Sequence, residues 1–424
     1  MSSGLRRHAV DTRPLAIAAY RRLLIGQGTS YIGSMLTQVA VPVQVYAITR
    51  SSFYVGMVGF AGLVPIVVLG LYGGAIADAM DRRLLYLASS LTTWAMTIGL
   101  LLLTVLGIVH VWLILLLVAV QSGAFAVSSS ARGAIIPRIV DLELVPAANT
   151  LNFTVAMASA AVGPLFAGAV IGLRHGFAYA YAIDALLFTA GLYSTLRLPP
   201  IPPDETAPAR GGTRAVLDGL RFISSRPVLV MSFAVDIVAM VLAMPRSLFP
   251  AVAADRFPGS VGLLYAAIPI GSVLAGLASG WIGRVRRQGV ALTCAIIGWG
   301  LSVAVAGIAH QLWLVLVLLA FGGAADLVSA VFRQTILQTY APDEMRGRMQ
   351  GVFTAVVAGG PRLGDVRAGT MAALTTVTVS WVAGGIACVV VVALAGVLVR
   401  PFWRYDARPD HTAEASVLDS SSPD

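Results

Sequence analysis

Two apolar runs, each long enough to cross a bilayer, are separated by almost nothing. Residues 53–77 and 84–107 flank a break whose only charged members are Asp78, Asp81, Arg82 and Arg83. About 20 consecutive apolar residues span the hydrocarbon core as a helix. No water is available there to satisfy unpaired backbone groups, so the helix is the expected form. A break this short makes the two helices an antiparallel hairpin. Its arginines place the turn on the cytoplasmic side, and that assignment sets the direction of every other span.

Hydropathy predicts spans at residues 22–48, 53–77, 84–107, 111–134, 149–173 and 177–197, then at 227–253, 260–282, 290–309, 312–337, 348–374 and 378–399. That is six on each side of one long polar break. The organisation expected is a cytoplasmic tail (1–21), a six-helix bundle (22–197), a cytoplasmic linker (198–226), a second six-helix bundle (227–399) and a cytoplasmic, disordered tail (400–424). The linker opens with the proline-rich run PPIPPDETAP. Val216, Leu217, Leu220, Phe222 and Ile223 then leave one apolar side, which predicts a short interfacial helix.

Composition excludes other readings. The chain is 58% hydrophobic and 12% charged, with a mean hydropathy of +0.84, well outside soluble proteins. Its formal charge of +9 does not describe a nucleic-acid surface, because the 29 basic residues are all arginines scattered through short loops. Cys294 and Cys388 fall inside apolar runs and imply no disulfide framework. The first long apolar run exceeds a signal peptide in length and reads as an uncleaved first span. With the spans as drawn, only Arg50, Arg174 and Arg256 fall on the side opposite the other loop arginines. Both termini are therefore expected in the cytoplasm.

The halves repeat. Gly56 and Gly74 are 18 apart, as are Gly262 and Gly280, and basic pairs follow both, Arg82 with Arg83 and Arg286 with Arg287. Arg132, Asn149 and Gly168 have spacings of 17 and 36, as do Arg333, Gln350 and Gly369. Two halves of the same hand predict an all-α membrane protein whose twelve transmembrane helices form two pseudo-symmetric six-helix bundles. Substrate is then expected between them, near the midplane.

The residues at the first break carry a resemblance. Gly74, Asp78, Arg82 and Arg83 are similar to the cytoplasmic gate motif of the major facilitator superfamily, with Ala79 in place of a basic residue and Asp81 in place of a glycine. Gly163, Pro164 and Gly168, with Ala167 where a glycine is usual, resemble its antiporter motif. Within that superfamily the chain resembles the enterobactin exporters, through VAVPVQ at 39–44, LLYAAIP at 263–269, and the positions of Arg246, Pro250 and Asp255. Residues 335–338 with Thr339, Pro342 and Glu344 fit the same pattern. The resemblance implies the major facilitator fold and proton-driven export by alternating access, with a catecholate siderophore or similar amphiphile as cargo.

Ionisable residues inside spans are costly and mark function or structural ties. Nine occur: Arg132, Asp184, Asp236, Arg246, Asp326, Arg333, Arg362, Asp365 and Arg367. Asp236 is the first candidate for the proton carrier, followed by Asp326, Asp365 and Asp184. Arg246, Arg333 and Arg362 are candidates for the cavity lining, and Gln38, Gln44 and Gln121 offer it neutral hydrogen bonds. Asp326 and Arg333 are two turns apart on one helical face, while Arg362 and Asp365 are three apart and placed to neutralise each other. A static salt-bridge network is the alternative reading of these charges.

No P-loop, no metal-spaced His or Cys set and no nucleophile with an evident base is present, and the five histidines fall in tails or loops. The expectation is therefore a transporter rather than an enzyme, with no cofactor and no metal. Its expected partners are a small molecule, protons and lipid, without nucleic acid or an obligate protein. The location expected is the bacterial cytoplasmic (inner) membrane. The rival functions are a broad multidrug or antibiotic efflux pump and, in another class, a sensor on the same scaffold.

Overall fold

The computed structural model describes residues 11–202, 220–340 and 346–399, with the side chains of 71–79, 134, 283, 338, 340, 346–352, 354 and 355 outside that description. The first half contains α1 (Ala18–Thr49), α2 (Ser52–Ala79), α3 (Arg82–Val105), α4 (Val111–Ile139), α5 (Val145–Ile171) and α6 (Gly176–Leu196). The second contains α7 (Pro227–Ala243), the short α8 (Phe249–Asp255), α9 (Val261–Leu277), α10 (Gln288–Ile308), α11 (Leu312–Tyr340), α12 (Arg346–Leu374) and α13 (Val377–Leu398). Each predicted span appears as helix, and α7 and α8 together form the seventh. Residues 220–224 end the predicted linker helix in a helical turn, and the rest of that helix lies outside the described residues.

Local chemistry explains the helix ends. Arg50 adopts the left-handed conformation (φ 50°), and its N–H closes α1 on the Tyr46 carbonyl, which permits the two-residue turn into α2. Asp81 N-caps α3, its carboxylate accepting from the Arg83 and Leu84 N–H groups at 2.8 and 3.1 Å. Thr376 does the same for α13 through the Val379 N–H. The eighth span ends at Leu277, sooner than hydropathy predicts, and a 3₁₀ helix (Ser279–Arg284) follows. Glycines 276, 280 and 283 lie in that stretch and hold an α-helix weakly.

Large apolar side chains point outward, among them Trp112, Leu116, Phe166, Leu186, Leu274, Trp313, Phe321 and Leu394. Such a surface requires hydrocarbon around it. In the first bundle α1 packs on α5 and α6, α3 on α4 and α6, and α2 on α4. In the second, α10 packs on α11 and α13, α9 on α11, and α7 on α12 and α13.

The bundles meet mainly along two helix pairs, α2 with α12 and α5 with α9. Both seams are built on the glycines that the sequence repeat aligns. A Cβ on Gly369 would stand 3.1 Å from the Gly56 Cα, and one on Gly262 would stand 2.9 Å from the Gly168 Cα. The repeat maps Gly56 onto Gly262 and Gly168 onto Gly369, so it carries one contact onto the other. All four glycines lie toward the helix ends opposite the chain termini. At that end the Tyr46 hydroxyl also donates to Asp255 Oδ2 across the bundles, at 3.0 Å.

Candidate functional site

The break in the seventh span creates the centre of the site. Pro245 has no N–H to return to the Val241 carbonyl, so α7 stops at Ala243 and a 3₁₀ turn (Arg246–Leu248) leads into α8. Arg367 of α12 fills the vacancy. Its guanidinium donates to the Val241 carbonyl at 3.2 Å, to the Ser380 carbonyl at 3.0 Å, and to the Leu242 carbonyl. Gly384 leaves room for this, since a Cβ there would strike the Leu242 carbonyl and the guanidinium. Arg367 is thus a structural cap, a role that the spacing of charges in the sequence did not disclose.

The turn presents Arg246 and Ser247 to α12. Ser247 holds Asp365 twice: its N–H donates to the carboxylate at 3.1 Å, and its hydroxyl donates to the Asp365 carbonyl at 3.0 Å. Arg246 lies over the Tyr265 ring, 6.0 Å from its centroid, and its carbonyl accepts from the Tyr265 hydroxyl. Arg362 does not fold back on Asp365. Its guanidinium crosses to the first bundle, where a Cβ on Gly62 would collide with it and with the Ser122 hydroxyl. Gly59 likewise faces the Asp365 side chain. Arg246 and Arg362 both act electrostatically on Asp365, and neither forms a direct ion pair with it among the described residues. Two guanidinium groups therefore flank one carboxylate where the bundles meet. Although Gly359, Gly360 and Pro361 favour a looser helix, α12 runs unbroken through them. Gly360 and Gly364 instead let α12 press on Met240 of α7.

Asp236 and Arg333 form a buried ion pair between α7 and α11, with the Arg333 guanidinium also 5.7 Å from the Phe353 ring centroid. The sequence spacing groups Arg333 with Asp326 instead. Asp326 shares the inward flank of α11 with Leu319 and Arg333, opposite the outward Trp313, Val317 and Phe321. It is part-exposed there, and its carboxyl makes no hydrogen bond or ion pair among the described residues.

Asp184 lies inside the first bundle. The Thr37 hydroxyl of α1 donates to its Oδ2 at 2.5 Å, while Oδ1 is buried without a hydrogen bond and faces Gly33. Gln121 donates to the Thr97 hydroxyl at 3.1 Å. Gln44 is fully engaged, accepting from Tyr181 at 2.7 Å and donating to Thr104 at 2.9 Å. Gln38 alone of these amides is exposed and free of hydrogen bonds among the described residues. Arg132 stacks over the Tyr31 ring at 5.4 Å.

The gate motif is partly described. Gly74 and Asp78 continue the backbone of α2, and their side chains lie outside the described residues. Arg83 donates to the Leu196 carbonyl at the end of α6, and the Arg82 N–H to the Ile201 carbonyl. Asp81 also accepts from the Ile201 N–H at 3.2 Å, which ties the turn to the start of the linker. In the antiporter-like motif Gly163 admits Met35 of α1, while Pro164 and Gly168 abut Gly262 of α9. That motif lies between the first helix and the opposite bundle.

The sequence profile of the transmembrane secretion effector family, a branch of the major facilitator superfamily, matches residues 10–420. The chain belongs to that family. As a member of the secretion effectors it is similar to the enterobactin exporter EntS of Citrobacter koseri, 28% identical over 92% of this chain and 94% of the relative. It is also similar to an Escherichia coli EntS, 29% identical over 88% and 90%. Among solved structures it shares its fold with the nucleoside transporter NupG (TM-score 0.71, 14% identity, 91% of this chain and 99% of that one). The same holds for the xylose transporter XylE of E. coli (TM-score 0.64, 14% identity, 95% and 98%). This secretion effector is a multi-pass membrane protein and an exporter of the major facilitator superfamily.

Proposed function

We propose that the chain exports an anionic, catechol-bearing amphiphile of the siderophore class in exchange for protons that move inward. The observation that carries this reading is the excess of guanidinium over carboxylate at the bundle interface, where Arg246 and Arg362 flank Asp365 without pairing with it. Guanidinium groups bind oxyanions through charge-assisted, often bidentate hydrogen bonds. An arriving anion draws Arg362 off Ser122 and Gly62, and so loosens the seam between α2 and α12. Enterobactin export by the EntS relatives supports the same cargo class.

Export then proceeds by rocking of the bundles. The glycine seams and the Tyr46 to Asp255 hydrogen bond close the end opposite the termini. On this reading the termini lie in the bacterial cytoplasm and the protein in the inner membrane, which the arginine asymmetry of the loops and the bacterial EntS relatives support. Cargo, on the same reading, enters from the end where the termini lie. The two units that rock are then the bundles of residues 22–197 and 227–399.

A second reading is a broad efflux pump for lipophilic cations, favoured by Asp326, whose part-exposed carboxyl has no partner among the described residues. Vesicles reconstituted with the full chain and given an imposed pH gradient separate the two. Gradient-driven accumulation of enterobactin, unaffected by ethidium, is the expected result. Equal transport of the dye, or indifference to the gradient, overturns the proposal.

A further inference from the structure

We propose that Asp184, inside the first bundle, is the group that gains and loses the transported proton, and that protons reach it along a polar seam separate from the cargo path. This rests on the proton-coupled reading above and adds to it a site and a route. Of the four intramembrane acids, Asp236 is tied to Arg333, and Asp365, part-exposed, is held by Ser247 beside two arginines. Asp326 is part-exposed, on the inward flank of α11. Asp184 differs from all three: it is 1% exposed, and among the described residues no cation faces it.

Its surroundings are built for a proton and little else. Thr37 fixes one carboxyl oxygen, and the other is closed off against the Gly33 backbone with no hydrogen bond. Among the described residues the only titratable side chain facing it is Tyr181, one turn away on its own helix. Of the helices packed on α6, α5 carries no titratable residue; those of α1 and α3 lie toward the helix ends, at Tyr20, Arg21, Arg22 and Tyr46 and at Arg82, Arg83 and Tyr86, except Tyr31 in the middle of α1, whose ring lies under Arg132 of α4. Proton loss therefore creates a charge that nothing nearby balances. The charge is relieved by movement of α1 against α6, which links proton release to the rocking of the bundle.

The proposed route runs along two separate hydrogen-bonded stretches near Asp184. Tyr181 donates to Gln44, and Gln44 donates to Thr104 in the last turn of α3, so this polar seam starts at the end where the bundles are closed. Thr97 and Gln121 extend polar lining at the depth of Asp184. A proton can thus enter from the side shut to cargo.

Infrared titration of the purified full chain tests the site without any cargo. The expected result is a protonated-carboxyl band that disappears as pH rises and is missing in Asp184→Asn; a band that stays constant over the whole pH range overturns the proposal. In vesicles probed with enterobactin, Asp184→Asn is expected to lose gradient-driven accumulation while retaining exchange of internal for external enterobactin. A merely structural carboxyl leaves accumulation intact in that near-isosteric variant, and this result also overturns the assignment. Asp184→Glu keeps the acid, and is expected to retain accumulation with a displaced pH midpoint, which covers a poorly folded Asn variant. Wild-type protein that moves enterobactin irrespective of the gradient sinks the coupling itself, whereas a gradient-driven wild type with an equally driven Asn variant sinks only Asp184.

Discussion

The two bundles share a backbone plan and treat buried acids in opposite ways. In the first, Asp184 is held by a hydroxyl, with a phenol near it and, among the described residues, no arginine. In the second, two of the three intramembrane acids stand with a guanidinium, Asp236 with Arg333 and Asp365 between Arg246 and Arg362, and Asp326 does not. The pseudo-symmetry extends to the glycine seams, where one contact maps onto the other, and stops at the chemistry. On the proposed function, a duplicated scaffold is divided: one half takes a proton, the other an anion.

The largest effect that sharpens this contrast comes from the paired half. Arg333→Ala leaves Asp236 buried and alone, at a cost of about 3–5 kcal/mol. Thermal unfolding in detergent is expected to drop accordingly, and Asp236→Leu in the same chain is expected to restore much of it. Arg362→Gln removes one charge-assisted bond to cargo, worth about 1.5–3 kcal/mol. The half-saturating enterobactin concentration for exchange rises by about 10- to 100-fold, with the pH dependence of transport unchanged. Arg367→Met uncovers the carbonyls at the break in α7, and a loss of similar size is expected in stability rather than in cargo affinity. Gly262→Leu overpacks the α5 to α9 seam by about 1–3 kcal/mol, and cysteine labelling near Pro258 is expected to accelerate as that end opens. Tyr46→Phe deletes a single hydrogen bond worth about 0.5–1.5 kcal/mol and shifts the same labelling least.

The fold was legible because hydrophobic length and loop arginines are strong, local signals. All twelve spans follow from runs of residues, and the repeat spacings named Gly56, Gly168, Gly262 and Gly369 before the packing showed why they are small. The site was legible as a set of residues, not as a set of pairs. Spacing along one helix joined Arg333 to Asp326 and Arg362 to Asp365, whereas packing joins Arg333 to Asp236 and sends Arg362 into the other bundle. Partners on different helices leave no mark on local spacing. The same limit hid Arg367, whose task is set by a proline 122 positions earlier, and Thr37, an ordinary threonine until Asp184 is seen beside it. Asp81, a departure from the family motif, is explained by the cap it supplies to α3 and its hold on Ile201.

The most direct test of proton control over the bundles is the distance across the closed end, read by spin labels on Arg174→Cys and Pro258→Cys in a chain whose Cys294 and Cys388 are serine. Both label sites are exposed, one in each bundle. Without cargo, wild type is expected to lengthen this distance as pH rises and Asp184 gives up its proton, while in Asp184→Asn, always neutral, the distance does not change with pH and lengthens only with cargo. A distance that responds to pH equally in both proteins, or in neither, contradicts the account.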